Sequence, residues 1–83
     1  MPFGVAVALD GSVYVAEQSN HCIQKFTSAG VFVSKWGTKG TAEGQFNYPS
    51  GVAVATDGTV FVADYDNDRI QKFLPKSRKT GAV

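Results

Sequence analysis

The stretch that decides the fold runs from residue 49 to residue 73 and reads PSGVAVATDGTVFVADYDNDRIQKF. Residues 2–26 carry the same pattern, PFGVAVALDGSVYVAEQSNHCIQKF, at a constant offset of 47 residues and without a gap. Of the 25 aligned positions, 16 are identical. A period of this length is typical of proteins built from stacked supersecondary units. The repeat therefore predicts an architecture, but it does not by itself name a ligand or a reaction.

Each copy of the repeat predicts short β-strands joined by turns. Apolar runs and alternation predict four strands in the first copy and the residues that follow it, at 4–8, 13–16, 22–27 and 31–36. Asp10-Gly11 suits the first turn, because glycine tolerates a positive φ and aspartate bonds to nearby backbone. Three strands are predicted in the second copy, at 51–55, 60–63 and 69–73. The pattern fails after Phe73, so the fourth strand of the second copy is not clear.

Three elements shared by both copies carry a resemblance to a known family. They are Pro-x-Gly-Val-Ala-Val, Asp-Gly-x-Val-aromatic-Val-Ala-acid and Asn-x-x-Ile-Gln-Lys-Phe. Together with the Gly-Gln-Phe of the link between copies, they resemble the NHL repeat, the blade unit of a family of β-propellers. The resemblance implies an all-β fold of antiparallel four-stranded blades, in rings of about six blades. The family usually has Arg at the third position of its Asn-containing triplet, where Arg69 conforms and Cys22 does not.

The predicted organisation is a partial propeller of about two blades. Residues 2–48 form the first blade with its connection to the next, residues 49–73 the second blade, and residues 74–83 a basic, flexible tail. Two blades leave two apolar faces exposed to water. Burial of apolar surface stabilises a fold by about 25 cal/mol per Å², so these faces lose much of the available stabilisation. The chain is therefore expected to need further blades, from a longer chain or from other copies, to close a ring.

Composition excludes several classes of site. Cys22 is the only cysteine, so no disulfide can form within the chain, and Cys22 with His21 falls short of four zinc ligands. Residues 1–73 carry five Lys/Arg against seven Asp/Glu, which gives no field that favours nucleic acid. Only the tail, with Lys76, Arg78 and Lys79, is basic. No signal peptide or transmembrane run is found, so no membrane partner is expected. The location stays open: the cytoplasm is the default, and a periplasmic chain or one cut from a larger precursor fits equally well.

Two stretches and one histidine could indicate a metal, catalytic or phosphate site, but a structural role is favoured for each. Residues 64–68 (DYDND) are acidic enough to suggest calcium, but Asp64 and Asn67 are expected to accept backbone N–H bonds in a turn. His21 is expected to be a solvent-exposed turn residue, because no second His can pair with it. The glycine-rich residues 37–44 lack the order of a phosphate-binding loop and predict a flexible connection. No catalytic residue, metal or cofactor is predicted.

The apolar residues predict how the blades pack. Five aromatic residues at strand spacing are expected to fill the space between blades: Tyr14, Phe26, Trp36, Phe61 and Phe73. Phe46, the one strongly apolar residue of the connection, is expected to anchor it onto the sheet. Cys22 is expected to be partly buried and inert in its strand.

Two hypotheses of different class describe the function. In the first, the chain is a non-catalytic module that binds a protein ligand, with RNA as a lesser variant, a role that the family resemblance implies. The same module could bind itself in a small ring, a trimer being favoured, because its two outer apolar faces need partners. Its binding face combines the connection 37–48 with the polar loops 17–21 and 64–68, and its candidate residues are Lys39, Tyr48, Tyr65, Asp68 and Arg69. In the alternative, the chain is a piece of an NHL-like propeller enzyme, a metal-dependent lyase or hydrolase whose active-site residues lie in other blades.

Overall fold

A computed structural model describes residues 2–74 as an all-β structure. Its strands are β1 (Pro2–Val7), β2 (Val13–Glu17), β3 (Cys22–Phe26), β4 (Phe32–Trp36), β5 (Thr38–Lys39), β6 (Gln45–Phe46), β7 (Pro49–Val54), β8 (Val60–Asp64) and β9 (Arg69–Phe73). One turn of 3-10 helix, Tyr65–Asn67, links β8 to β9. Across residues 2–74, no helix has the length and apolar character needed to cross a membrane. The predicted tail lies outside the described residues, except for Leu74.

The strands form two antiparallel sheets in the order of the chain. One sheet has the order β1-β2-β3-β4 and is called blade one; the other has the order β7-β8-β9 and is called blade two. The predicted meanders are thus confirmed. Strands β1 and β7 begin two residues earlier than predicted, because Pro2 and Pro49 pair across a register shift with Glu17 and Asp64. Such a shift bends the strand locally.

The first turn of each blade is built around an aspartate. In blade one, the Ser12 N–H donates to Asp10 Oδ1 at 2.8 Å, and Gly11 has a φ of 90°. In blade two, the Thr59 N–H donates in the same way to Asp57 Oδ1 at 2.9 Å. Hydrogen bonds from Ser12 and Thr59 lower the pKa of the two carboxyl groups. The turn roles predicted for Asp10 and Gly11 are confirmed.

The core of the molecule lies between the two blades, and this contact is called the blade interface. Blade one contributes Tyr14, Ala16 and Ile23, and blade two contributes Val60 and Val62, all of them buried. The side chains that pack around this cluster are Ala8, Trp36, Val52, Val54 and Phe73. Gly4 of β1 meets β7 so closely that a Cβ on it would lie 3.1 Å from the Gly51 Cα.

Alternation along each strand leaves a second apolar face on each blade. The blade-one outer face exposes Val5 and Val7, at 64% and 65% of their surface. The blade-two outer face exposes Ile70 at 66%, beside a shallow depression of about 260 Å³ that Ala53 and Phe61 help to line.

The outer faces correct part of the aromatic prediction. Tyr14, Trp36 and Phe73 belong to the blade interface, as expected. Phe61 instead lines the blade-two outer face, and Phe26 lies edge-on to Phe32 at a centroid distance of 5.8 Å. Side chains alternate along a strand, so Phe61 faces the same way in blade two as Tyr14 does in blade one. The face that carries Tyr14 meets the other blade, whereas the equivalent face of blade two is the outer one.

Candidate functional site

The connection between the blades, residues 37–48, is held by hydrogen bonds. Strands β5 and β6 pair in parallel, and the Gly40 N–H donates to the Phe46 carbonyl oxygen at 3.0 Å. Side chains of blade two bond to the same segment, as described below. This corrects the interpretation of the glycine-rich stretch as a flexible link.

Asp64, at the end of β8, is the centre of the network that holds the connection. Asp64 is buried, with 1% of its surface exposed to solvent. Asp64 Oδ1 accepts the Asn47 N–H at 2.7 Å, which ties the carboxylate directly to the connection. Asp64 Oδ2 accepts from the side chains of Asn67 at 2.8 Å, Arg69 at 2.9 Å and Gln71 at 3.2 Å. A buried carboxylate with this many donors is the arrangement that offsets the cost of removing its charge from water.

The donors around Asp64 also bind the backbone of the connection. The Arg69 guanidinium donates to the carbonyl oxygens of Thr41, Ala42 and Gln45, at 2.8 to 2.9 Å. Gln71 donates to the Gln45 carbonyl oxygen at 2.6 Å and accepts the Gly44 N–H at 3.0 Å. The group formed by Asp64, Asn67, Arg69 and Gln71 is called the connection clamp.

The connection clamp corrects the prediction made for the acidic stretch. Asp64 does accept a backbone N–H, but that N–H comes from Asn47, which is 17 residues earlier in the chain. Asn67 donates rather than accepts, with its Nδ2 bonded to the Gly40 carbonyl oxygen at 3.0 Å. Within residues 2–74, no three His, Cys, Asp or Glu side chains are grouped so that they could hold a metal ion.

Asp64 makes the stability of the fold depend on pH. Burial alone would raise the pKa of its carboxyl group, but hydrogen bonds from Asn47, Asn67, Arg69 and Gln71 outweigh burial and lower it. The folded state therefore favours the ionised form relative to an unfolded chain, where the pKa is about 3.9. The resulting stabilisation is complete well above that value and is lost as the pH falls through the lower, folded value.

We therefore expect the free energy of unfolding to fall as the pH drops below about 4. Urea unfolding at a series of pH values, followed by Trp36 fluorescence, measures this dependence. The variant Asp64→Asn removes the titrating group and keeps one acceptor oxygen, so its pH dependence in this range should be shallower. Asp10 and Asp57 titrate in both proteins and serve as a shared background. Identical slopes for the two proteins would contradict the assignment.

Phe46 anchors the connection from its apolar side, as predicted. It is fully buried in the cluster at the blade interface, with its ring 5.8 Å from that of Phe73. Gly37 lies against the same ring, and a Cβ at Gly37 would clash with it. The connection is thus fixed on one side by the clamp and on the other by Phe46.

His21 joins blade one to the end of the connection. Its Nδ1 accepts the Tyr48 N–H at 3.0 Å, and the two rings meet edge-on at a centroid distance of 4.7 Å. Tyr48 has a φ of 59°, in a region that non-glycine residues rarely adopt. His21 lies in a turn, as predicted, with its N–H bonded to the Gln18 carbonyl oxygen, but it is half-buried rather than exposed. The sequence offered no signal for this contact, since the two residues are 27 apart.

Replacing His21 by Ala should lower the free energy of unfolding by about 1 kcal/mol, the usual net value of one hydrogen bond. The matched control is Asp68→Ala, because Asp68 is the repeat-equivalent residue and has the same φ of 53°. Alanine at a positive φ costs free energy, and this cost is then the same in both variants. Urea unfolding should show a larger loss for the His21 variant. Equal losses would mean that the bond to Tyr48 contributes nothing.

The loops that the sequence assigned to a binding face do lie together. The Asp66 N–H donates to the Asn47 carbonyl oxygen at 3.0 Å, and His21 bonds to Tyr48. Residues 17–21, 37–48 and 64–68 therefore meet at one edge of the two blades, which is called the loop face. Of its candidate residues, Lys39, Tyr48, Tyr65 and Asp68 are exposed. Arg69 is half-buried, and its guanidinium is engaged in the connection clamp.

Two stacked antiparallel meanders joined by an anchored connection define this chain as a segment of a β-propeller. The family model described as NHL repeat matches residues 1–26 and 46–73, which together exceed half of the chain. The chain belongs to the NHL repeat family. Comparison with curated protein sequences gave no significant match.

A solved structure described as streptogramin B lyase has the same fold. It aligns with a TM-score of 0.64 at 15% sequence identity, and the alignment covers 88% of this chain. The chain spans about a quarter of the length of that protein, since the alignment covers 26% of it. At this identity the likeness shows the fold alone.

Proposed function

We propose that this chain is a non-catalytic propeller segment that binds other NHL blades, with copies of itself as the immediate partner. The observation that carries the proposal is the relation between its buried and exposed faces. Each outer face is the repeat equivalent of a face that is buried at the blade interface. A head-to-tail contact between two copies can therefore reproduce a contact that the molecule already makes.

The blade-two outer face corresponds to the face of blade one that is buried. Residues Gly51, Ala53, Phe61, Ala63 and Ile70 stand 47 positions after Gly4, Ala6, Tyr14, Ala16 and Ile23. Four of these five pairs are identical, and the fifth, Tyr14 with Phe61, is alike in shape. Ile23 is fully buried, whereas Ile70 is 66% exposed. This face has the composition of a blade interface without a partner in residues 2–74.

The blade-one outer face corresponds in turn to the buried face of blade two. Residues Val5, Val7, Val13, Val15 and Phe26 stand 47 positions before Val52, Val54, Val60, Val62 and Phe73, and all five pairs are identical. Val60 and Val62 are fully buried, whereas Val5 and Val7 are mostly exposed. Contiguous apolar patches of this kind are rare on soluble monomers.

The two outer faces differ from each other, so contact between them is head-to-tail. Head-to-tail contacts close into rings when the rotation per subunit permits. With the blade number of NHL relatives, three two-blade chains complete one ring. The proposed assembly is a homotrimer.

Gel filtration coupled to light scattering tests the assembly, with an expected mass near three times that of one chain. Ile70→Glu places a charge on the blade-two outer face and should shift the mass to that of one chain. The control is Tyr65→Glu, since Tyr65 is 67% exposed but lies on the loop face. A folded wild-type monomer with a cooperative melting transition would overturn the proposal.

A second role is supported by the exposed residues of the loop face. Tyr65 and Tyr48 present aromatic surface, which is enriched in protein-binding sites. Lys39, Asp68 and the partly exposed Arg69 add charges around them. We propose a protein ligand here rather than RNA, because the acidic Asp66 and Asp68 border the face. Titration with single-stranded RNA tests this choice, and binding abolished by Tyr65→Ala would favour RNA instead.

A further inference from the structure

The outer edge of β9 lacks a neighbouring strand in the described part of the chain. Between residues 2 and 74, β9 pairs with β8 alone, whereas the equivalent strand β3 pairs with both β2 and β4. A hollow of about 430 Å³ lies beside this edge, lined by Glu43, Gly44 and residues 69–73. An unpaired strand edge presents a row of backbone donors and acceptors that can bind an extended chain.

Blade one shows what the equivalent edge of β3 binds. Strand β3 pairs with β4 in the register Ile23↔Trp36, Gln24↔Lys35, Lys25↔Ser34 and Phe26↔Phe32. The four residues of β3 that make these pairs read Ile-Gln-Lys-Phe, and residues 70–73 of β9 read the same. The edge of β9 thus repeats, residue for residue, a surface that already holds a strand in this molecule.

Aromatic residues at the two ends of β4 give the pairing its side-chain contacts. Trp36 lies opposite Ile23 and meets the Tyr14 ring edge-on, with centroids 6.2 Å apart. Phe32 lies opposite Phe26 and meets its ring in the same manner. In blade two, Ile70 is exposed where Ile23 is buried, and Phe61 stands in the place of Tyr14. An aromatic side chain opposite Ile70 would therefore contact Phe61.

Residues 74–83 do not carry aromatic residues at the equivalent positions. At the 47-residue offset, Lys79 stands in the place of Phe32 and Val83 in the place of Trp36. A segment from another polypeptide can supply both.

We propose that the outer edge of β9 binds an extended peptide segment of another chain, antiparallel to β9, with aromatic residues at the first and fifth of five positions. The aromatic residue at the fifth position lies opposite Ile70, and the one at the first position lies opposite Phe73. The backbone pairing uses the edge of blade two. The aromatic residue at the fifth position adds a contact on the blade-two outer face, as Trp36 does beside Tyr14 at the blade interface.

The probe is a fluorescein-labelled peptide with the sequence of residues 30–37, GVFVSKWG, titrated with the full chain and followed by fluorescence anisotropy. Saturable binding is expected. A peptide carrying Trp36→Ala should bind at least about tenfold more weakly, the loss that 1.4 kcal/mol produces. Absence of binding to the full chain, including absence because residues 75–83 occupy the edge, would overturn the proposal.

Two matched comparisons distinguish strand pairing from non-specific apolar binding of the peptide. Adjacent N–H groups of a strand point to opposite sides, so N-methylation at Ser34 or at Lys35 of the peptide should weaken binding at one position only. In the protein, Ile70→Ser should weaken binding about tenfold, while Val5→Ser, with a similarly exposed side chain on the other blade, should not. Equal effects within either pair would rule out pairing at β9.

Discussion

Replacing Asp64 by Ala is expected to lower the free energy of unfolding by about 3 kcal/mol, at the lower end of the range for breaking a buried ion pair. The reason is that the carboxylate is the shared acceptor of four donors. Without it, the Asn47 N–H and the side chains around it lose their partner in a water-poor site. The loss stays near the lower end because the Arg69 side chain is 30% exposed and can regain some solvation.

Urea unfolding followed by Trp36 fluorescence and by circular dichroism measures this loss. Asp66→Ala is the control, because Asp66 is an exposed acid of the same turn whose bond to the connection uses its backbone N–H. Its effect should stay within about 0.5 kcal/mol. Small domains are stable by only about 5 kcal/mol or little more, so the Asp64 variant should be partly unfolded on mild warming. A loss below that of the control would show that the clamp does not stabilise the fold.

Phe46→Ala is expected to have an effect at least as large, about 3–5 kcal/mol. The ring is fully buried and fills the space that both blades border, so its removal leaves a cavity at the blade interface. The Phe73 ring loses an edge-on neighbour at the same time. The connection keeps its bonds to Arg69 and Gln71, which do not replace apolar contact.

Thermal unfolding of Phe46→Ala should begin well below that of the wild-type protein. Leu9→Ala gives the control for losing a large apolar side chain, since Leu9 is 81% exposed and its removal opens no cavity. Phe46→Leu, which keeps most of the volume, should recover much of the stability. If Phe46→Ala and Leu9→Ala melted together, the anchoring role of Phe46 would be wrong.

The fold could be predicted because its signals are local and occur twice. The 47-residue offset, the alternation of Val with Ala in β1 and β7, and the Asp-Gly turns all lie within single repeats. Phe46 is predictable as the anchor because it is the one strongly apolar residue of a polar connection. Both inferences need only the chain's own periodicity and the preference of apolar side chains for burial.

The clamp and the His21 contact could not be predicted in the same way. The sequence predicts that Arg69 belongs to an exposed binding face, but its guanidinium bonds to carbonyl oxygens 24 to 28 residues earlier. Which loop a polar side chain reaches depends on how one blade stacks on the next, and no local pattern encodes that. The sequence does carry one signal in the spacing of these side chains. Asn67, Arg69 and Gln71 follow Asp64 by three, five and seven residues, and Arg69 and Gln71 occupy alternate positions of β9.

The connection clamp also bears on the order in which the molecule is made. Residues 40–45 leave the ribosome with blade one, but the side chains that hold them lie 24 to 28 positions later. At roughly 5–20 residues per second, synthesis needs about one to five seconds to cover that distance. During this interval Phe46 has no Phe73 to meet, and Tyr14 and Ile23 have no β8 to cover them. During synthesis the buried face of blade one is therefore exposed to solvent, and blade two covers it fully only after β9 has emerged.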